Sequence, residues 1–163
     1  MAFKNKMKKR DSIGVLGSGL MGHGIAYTAA LSGFEVLMLD ITKEKARKGL
    51  EKIYQILEKD FESGLIIKQV LHDTKGRIKI SEDYKDLETK NFIIEAIYED
   101  LDIKSEALKT AEKFIKPDGI IASNTSTIPI SILASKIKNS ERFIGIHFFL
   151  SLIHISEPTR LNP

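Results

Sequence analysis

Short continuous apolar runs alternate along the chain with amphipathic stretches. Five runs are predicted to form buried strands, at residues 13–16, 36–39, 92–97, 120–122 and 143–149, and residues 78–80 are a shorter candidate. The runs are continuous rather than alternating, which is typical of parallel strands that are covered on both faces. The pattern therefore predicts a mainly parallel sheet buried between two layers of helices.

The stretches between the runs carry apolar residues at helical spacing. One predicted helix uses Met21, Ile25 and Ala29; a second uses Ala46, Leu50, Ile53, Tyr54 and Leu57; a third uses Ile103, Ala107, Leu108, Ala111 and Phe114. Thr42 is a predicted N-cap of the second helix. Pro129 suits the first turn of a further helix that runs through Leu133. Alternating strands and helices predict a doubly wound α/β fold.

Composition places the chain among ordinary soluble proteins. Its 163 residues suit one domain, and the net charge of +3 comes largely from a basic tail at residues 1–11. We expect that tail to be solvated, with no nucleic-acid or membrane partner. The sequence holds no cysteine, which excludes disulfides and thiolate ligands, and no two histidines have metal-ligand spacing. We therefore expect a cytoplasmic protein without a metal.

A glycine-rich segment follows the first predicted strand and opens the first predicted helix. It reads Gly17-Ser18-Gly19-Leu20-Met21-Gly22, a GxGxxG pattern. The three glycines serve a tight turn, a close approach to a pyrophosphate, and close packing of helix on strand. The helix N-terminus, which begins at Leu20 and Met21, offers backbone N–H groups to phosphates. The segment predicts a dinucleotide site.

Asp40 strengthens that prediction, because it ends the second predicted strand 18 residues after Gly22. A carboxylate at this place accepts hydrogen bonds from the adenosine ribose and repels a 2′-phosphate, which favours NAD over NADP. Lys43 and Lys45 follow closely and weaken the preference. The glycine loop alone does not distinguish an NAD-dependent enzyme from an FAD-binding protein or from a non-catalytic nucleotide-binding module.

Four segments together resemble the 3-hydroxyacyl-CoA dehydrogenases. They are GSGLMGHGIA at 17–26, IEAIYEDLDIK at 94–104, ASNTST at 122–127 and GIHFF at 145–149. The resemblance implies a Rossmann-type NAD-binding domain followed by a helical domain. It also implies NAD-dependent oxidation of (S)-3-hydroxyacyl-CoA to 3-oxoacyl-CoA in fatty-acid metabolism. A homodimer or a multienzyme complex is expected for the full-length enzyme, with an acyl-CoA as the substrate.

The resemblance also assigns roles to individual residues. Those expected at the cofactor are Gly17, Gly19, Leu20, Met21, Gly22, Asp40, Ala96, Glu99, Lys104 and Asn124. Ser126 and Lys104 are expected to contact the substrate. His147 matches the catalytic base. Chemistry agrees with that last role, because an alcohol gives up hydride readily only as its proton leaves, and histidine titrates near neutral pH.

The family pattern breaks after Phe149. The family carries a glutamate 12 residues past the histidine, where this sequence has Thr159. Residues 150–160 read LSLIHISEPTR, which resembles a translated transposase sequencing adapter. We therefore expect three parts: a basic tail at 1–11, an NAD-binding domain at 12–149 and a non-native tail at 150–163. The helical domain of the family would then be missing, and turnover by this chain weak or absent.

Two alternatives to an acyl-CoA dehydrogenase stay open on the sequence. One is a non-catalytic nucleotide-binding or structural member of the family. The other is a dehydrogenase of β-hydroxyacids that are not CoA esters, although those families place a lysine rather than a histidine at the reaction centre. His23, His72 and His154 are interpreted as residues without a catalytic role.

Overall fold

The computed structural model describes residues 12–148, which form a six-stranded parallel sheet flanked by helices. The elements in chain order are β1 (Ser12–Leu16), α1 (Leu20–Leu31), β2 (Glu35–Leu39), α2 (Lys43–Glu62), α3 (Lys68–Gly76), β3 (Ile78–Ser81), β4 (Phe92–Glu95), α4 (Leu101–Phe114), β5 (Ile120–Ser123), α5 (Ile130–Ala134) and β6 (Phe143–Gly145). Short 3-10 helices occupy Tyr84–Thr89 and Ser140–Arg142. The predicted doubly wound, Rossmann-type α/β fold is confirmed.

The order of the strands across the sheet is β3-β2-β1-β4-β5-β6, and every neighbouring pair is parallel. The chain first moves outward from β1 to β3 and then returns to begin the other half with β4. The direction in which successive strands are added to the sheet therefore reverses between β1 and β4. A sheet of this kind opens a crevice at that switch, beside the carboxyl ends of the strands.

Helices on each face of the sheet bury a separate apolar core. Val15 packs with Ile25 and Ile53 on the side of α1 and α2. The next residue along β1, Leu16, packs on the opposite side with Leu108 and Leu133 from α4 and α5. Successive side chains of a strand point to opposite faces, so both must be apolar when both faces are covered. This explains the continuous apolar runs in the sequence.

Most of the predicted elements form where the pattern placed them. The weak candidate at residues 78–80 is a full member of the sheet as β3, and Thr42 caps α2 by accepting a hydrogen bond from the Lys45 backbone N–H. The run at 92–97 ends earlier, because β4 stops at Glu95. Ile103 was assigned wrongly to a buried stripe, since it is 51% exposed. α3 was not predicted.

The last predicted strand is also shorter than its apolar run. β6 ends at Gly145, although the Ile146 backbone N–H still donates to the Ser123 carbonyl at 3.0 Å. His147 therefore lies in the loop that follows the strand. Phe149 and the two predicted tails, 1–11 and 150–163, fall outside the described residues. Within residues 12–148, none of the helices has the length and apolar character needed to cross a membrane.

Two leucines near the end of α2 offer a test of the predicted core. Leu57 is 0% exposed and Leu65, just past the helix, is 65% exposed. Leu57→Ala should lower the free energy of unfolding by about 2–5 kcal/mol, because it leaves a cavity in the α1–α2 core. Leu65→Ala should change it by no more than about 0.5 kcal/mol. Urea unfolding followed by circular dichroism measures both, and equal losses would contradict the packing described.

Candidate cofactor and active site

The turn from β1 into α1 requires glycine at two positions. Gly17 has φ +95°, and a Cβ there would lie 2.7 Å from the Ala96 carbonyl oxygen. A Cβ on Gly22 would lie 2.0 Å from the Gly17 carbonyl oxygen. Around Gly19, by contrast, a Cβ would meet nothing within 4 Å, and the residue is exposed. The loop is closed on its protein side and open above Gly19, which suits close approach of a pyrophosphate to the helix N-terminus.

Asp40 lies directly beside this loop, at the carboxyl end of β2. Its Oδ2 accepts a hydrogen bond from the Ser18 backbone N–H at 2.8 Å and lies 2.5 Å from the Ser18 hydroxyl. Its Oδ1 accepts from the Ile41 backbone N–H at 2.8 Å. The acid and the glycine loop thus form one continuous surface, as a dinucleotide requires of its phosphate and ribose sites. These residues fit NAD.

A cleft of about 380 Å³ opens next to the glycine loop. Its walls come from four different segments, which meet at the carboxyl edge of the sheet. Six of the residues predicted to form the site, Met21, Ala96, Glu99, Asn124, Ser126 and His147, line it together with Ile97 and Phe148. The structure thus brings the predicted catalytic histidine and the predicted substrate serine into one cleft.

Lys104 was expected on the wall of the cleft, and the structure places it behind that wall. The side chain is 1% exposed, and its ammonium lies 2.6 Å from Glu95 Oε1 and 3.2 Å from Glu99 Oε2. It also donates to the Ile97 carbonyl at 3.3 Å. A lysine is rarely buried so completely unless carboxylates compensate its charge. Lys104 therefore supports the cleft indirectly, through its bonds to Glu99 and Ile97, which line it.

Glu95 is the buried partner of this lysine, and sequence reasoning gave it no role. Its side chain is fully buried at the end of β4. Besides Lys104, it accepts hydrogen bonds from the Ile97 backbone N–H at 2.8 Å and from the Ser123 hydroxyl. The sequence did offer a signal for this pair. Glu95 is an acid at the end of an apolar run, and a lysine follows it nine residues later in the same motif.

Glu99 joins the loop after β4 to the loop after β5. Its carboxylate accepts hydrogen bonds from the Thr125 hydroxyl, from the Ser126 backbone N–H at 3.1 Å, and from the Thr127 backbone N–H at 3.1 Å. Burial alone raises the pKa of Glu99, but the hydrogen bonds from Thr125, Thr127 and Lys104 prevail and lower it to about 2. The group is therefore a carboxylate at neutral pH. It fixes the backbone that carries Ser126.

Asn124 holds the segment that carries the histidine. Its Oδ1 accepts a hydrogen bond from the Phe148 backbone N–H at 2.8 Å, and its own backbone N–H donates to the Glu95 carbonyl at 2.8 Å. Ile146 is tied to β5 by its bond to the Ser123 carbonyl. Hydrogen bonds thus fix the residues on both sides of His147. His147 itself is exposed to the cleft.

A second histidine, His23, is buried beneath the glycine loop. His23 is 5% exposed in α1, and its Nδ1 lies 2.7 Å from the Gly19 carbonyl oxygen. Burial lowers its pKa, so the ring is neutral at pH 7 and can donate to that carbonyl from Nδ1.

Among the residues that the structure describes, no three His, Asp or Glu side chains are grouped so that they could hold a metal ion.

Comparison with known proteins places these features in a family. Residues 12–155 match the family described as 3-hydroxyacyl-CoA dehydrogenase, NAD binding domain. The fatty acid oxidation complex subunit alpha of Pseudomonas aeruginosa strain PAO1 is 39% identical over 153 residues, and that of Psychrobacter cryohalolentis is 39% identical over 149 residues. Each alignment covers 90% of this chain and 21% of the relative. The chain therefore spans about a fifth of these relatives.

Solved structures give the same result. A (S)-3-hydroxybutyryl-CoA dehydrogenase from Ralstonia eutropha superposes with a TM-score of 0.82 at 36% identity, over 85% of this chain and 49% of that protein. A 3-hydroxybutyryl-CoA dehydrogenase from Escherichia coli K12 gives a TM-score of 0.83 at 33% identity, over 85% of this chain and 29% of that protein. The cofactor of this domain is NAD. The chain belongs to the family of 3-hydroxyacyl-CoA dehydrogenase NAD-binding domains.

Proposed function

We propose that this chain is the NAD-binding part of an enzyme that oxidises (S)-3-hydroxyacyl-CoA to 3-oxoacyl-CoA. The observation that carries the proposal is the meeting of Ser126 and His147 in one cleft beside the glycine loop. A protein that only stores or senses a nucleotide has no need of a histidine and a serine at that place. The names of the relatives, which are fatty acid oxidation subunits and 3-hydroxybutyryl-CoA dehydrogenases, support the same substrate class.

In this proposal His147 removes the proton from the oxygen of the 3-hydroxyl group while a hydride leaves carbon 3, which bears that oxygen. Bound NAD would accept the hydride. Ser126 donates a hydrogen bond to the substrate oxygen, which orients the reacting carbon. Asn124 keeps the histidine segment in place through the Phe148 backbone N–H. Glu99, backed by the buried Lys104, forms the wall shared by cofactor and substrate.

Assembly with further parts is also proposed. The curated relatives are named as subunits of a complex, and a structural relative is named as the dehydrogenase part of a multifunctional enzyme from C. elegans. We infer a homodimer or a multienzyme complex for the full-length protein. We therefore propose that turnover be tested with this chain joined to the C-terminal half of the Ralstonia eutropha enzyme, of which the chain covers 49%.

Cofactor choice is the first test. Asp40→Ala should weaken NAD binding by roughly 1–3 kcal/mol, because hydrogen bonds from the ribose to a charged acceptor are lost. NADP binding should stay the same or tighten, because the like charge that repels its 2′-phosphate is gone. Calorimetric titration of both proteins with both cofactors measures this. Equal affinity of the unaltered chain for NAD and NADP would remove the role given to Asp40.

The catalytic base is the second test. In the joined enzyme, His147→Gln should lower the rate of NADH formation from 3-hydroxybutyryl-CoA by about 10²–10⁴-fold, the usual contribution of general-base catalysis. NAD affinity should hardly change. His72→Gln is a matched control, since the His72 side chain is 88% exposed. Undiminished turnover by the His147 variant would exclude it as the base. NAD binding without any turnover in the unaltered joined enzyme would instead indicate a non-catalytic member of the family.

The third test concerns the lysine behind the wall. Lys104→Met should lower the free energy of unfolding by about 3–5 kcal/mol, because it leaves the Glu95 carboxylate buried without its partner. The double variant Glu95→Gln/Lys104→Met should recover a measurable part of that loss. Lys109→Met, on the exposed side of α4, is the matched control and should be nearly neutral. Urea unfolding decides, and a double variant no more stable than the single one would argue against a charge effect.

A further inference from the structure

The carboxylate of Asp40 is already largely occupied by bonds within the protein. A carboxylate offers about four acceptor positions, two on each oxygen. Oδ2 accepts from the Ser18 backbone N–H at 2.8 Å and has the Ser18 hydroxyl at 2.5 Å, while Oδ1 accepts from the Ile41 backbone N–H at 2.8 Å. About one position then remains for a ribose hydroxyl group, and the protein's own bonds set the direction in which the carboxylate points.

The Ser18 hydroxyl is the one side-chain donor among these. It carries a single proton and lies 2.5 Å from Asp40 Oδ2 and 2.9 Å from the Lys45 carbonyl oxygen. Donation to Asp40 is favoured, because that acceptor is both closer and charged.

The rest of Ser18 has no room to move. The residue is 7% exposed. Gly49 of α2 faces it so closely that a Cβ on Gly49 would lie 2.7 Å from Ser18 Cβ and 2.8 Å from the Ser18 carbonyl oxygen. Helix α2 therefore presses directly on the glycine loop through a position that has no side chain. This packing keeps the Ser18 hydroxyl next to the Asp40 carboxylate.

We propose that Ser18 is a positioning residue that sets the preference for NAD over NADP by holding the Asp40 carboxylate against the glycine loop. The proposal deepens, and rests on, the proposed role of Asp40 at the ribose. A 2′-phosphate carries a charge of about −1.5 to −2 and cannot donate to the carboxylate at neutral pH. It is rejected most strongly when the carboxylate cannot swing aside, and the Ser18 hydroxyl opposes that swing together with the Ser18 and Ile41 backbone N–H groups.

Titration of Ser18→Ala with NAD and with NADP tests the proposal. We expect NAD to bind more weakly and the ratio of the NADP to the NAD dissociation constant to fall about tenfold, because the carboxylate loses a hydrogen bond that holds it in place and can swing aside. Ser63→Ala is the matched control, because the Ser63 hydroxyl donates to the Asp60 carbonyl at an exposed end of α2. The melting temperatures of both variants should stay close to that of the unaltered chain.

Gly49→Ala gives a second, independent perturbation of the same contact. Its added Cβ should displace Ser18 and lower the ratio in the same direction. An unaltered chain without NAD preference would overturn the role of Asp40 and this proposal together. A clear NAD preference that survives Ser18→Ala would overturn only the role of Ser18. Equal weakening of both cofactors, with the ratio unchanged, would show a structural role and also refute the proposal.

Discussion

A buried lysine held between two carboxylates ties together the loops that build the site. Lys104 comes from α4, Glu95 ends β4, and Glu99 lies in the loop between them. Glu95 also binds the Ser123 hydroxyl at the end of β5, and Glu99 binds the backbone around Ser126. The ammonium group is thus the common centre of two strands, one helix and two loops. It therefore couples the carboxyl ends of β4 and β5 to α4.

Charge burial of this kind is costly unless nearly every polar atom finds a partner. Here both oxygens of Glu95 are used, by Lys104 and the Ile97 N–H on one side and by Ser123 on the other. Replacing such a group by apolar residues often leaves stability unchanged or higher, so stability alone does not account for it. Directional hydrogen bonds to a buried charge define the conformation of the surrounding loops more precisely than apolar contacts do, and precise positioning is what a reactive site requires.

The sequence predicted the fold well because the sheet is covered on both faces, so each buried strand shows as a continuous apolar run. The glycine loop was also predictable, since a positive φ at Gly17 and contact distances at Gly22 leave glycine as the only choice. The place of Asp40 beside the loop followed from its position at the end of the second apolar run. Lys104 was misplaced for a physical reason: a charged residue in a motif suggests ligand contact, and only three-dimensional structure shows that two acids enclose it. Ser18 escaped notice because its partner Asp40 lies 22 residues away in the sequence, and Glu95 because the sequence alone does not show that it and Lys104 are both buried.

The position of His147 shows how the two halves of the site depend on each other. The histidine follows β6, which within residues 12–148 is an edge strand that pairs with β5 alone. Ladder hydrogen bonds therefore hold this strand on one side. Asn124 compensates, because its Oδ1 binds the Phe148 N–H while its backbone N–H is bound to the Glu95 carbonyl. The residue that anchors the His147 segment is therefore itself bonded to β4, the strand that ends in the buried Glu95, and the position of His147 depends on that strand.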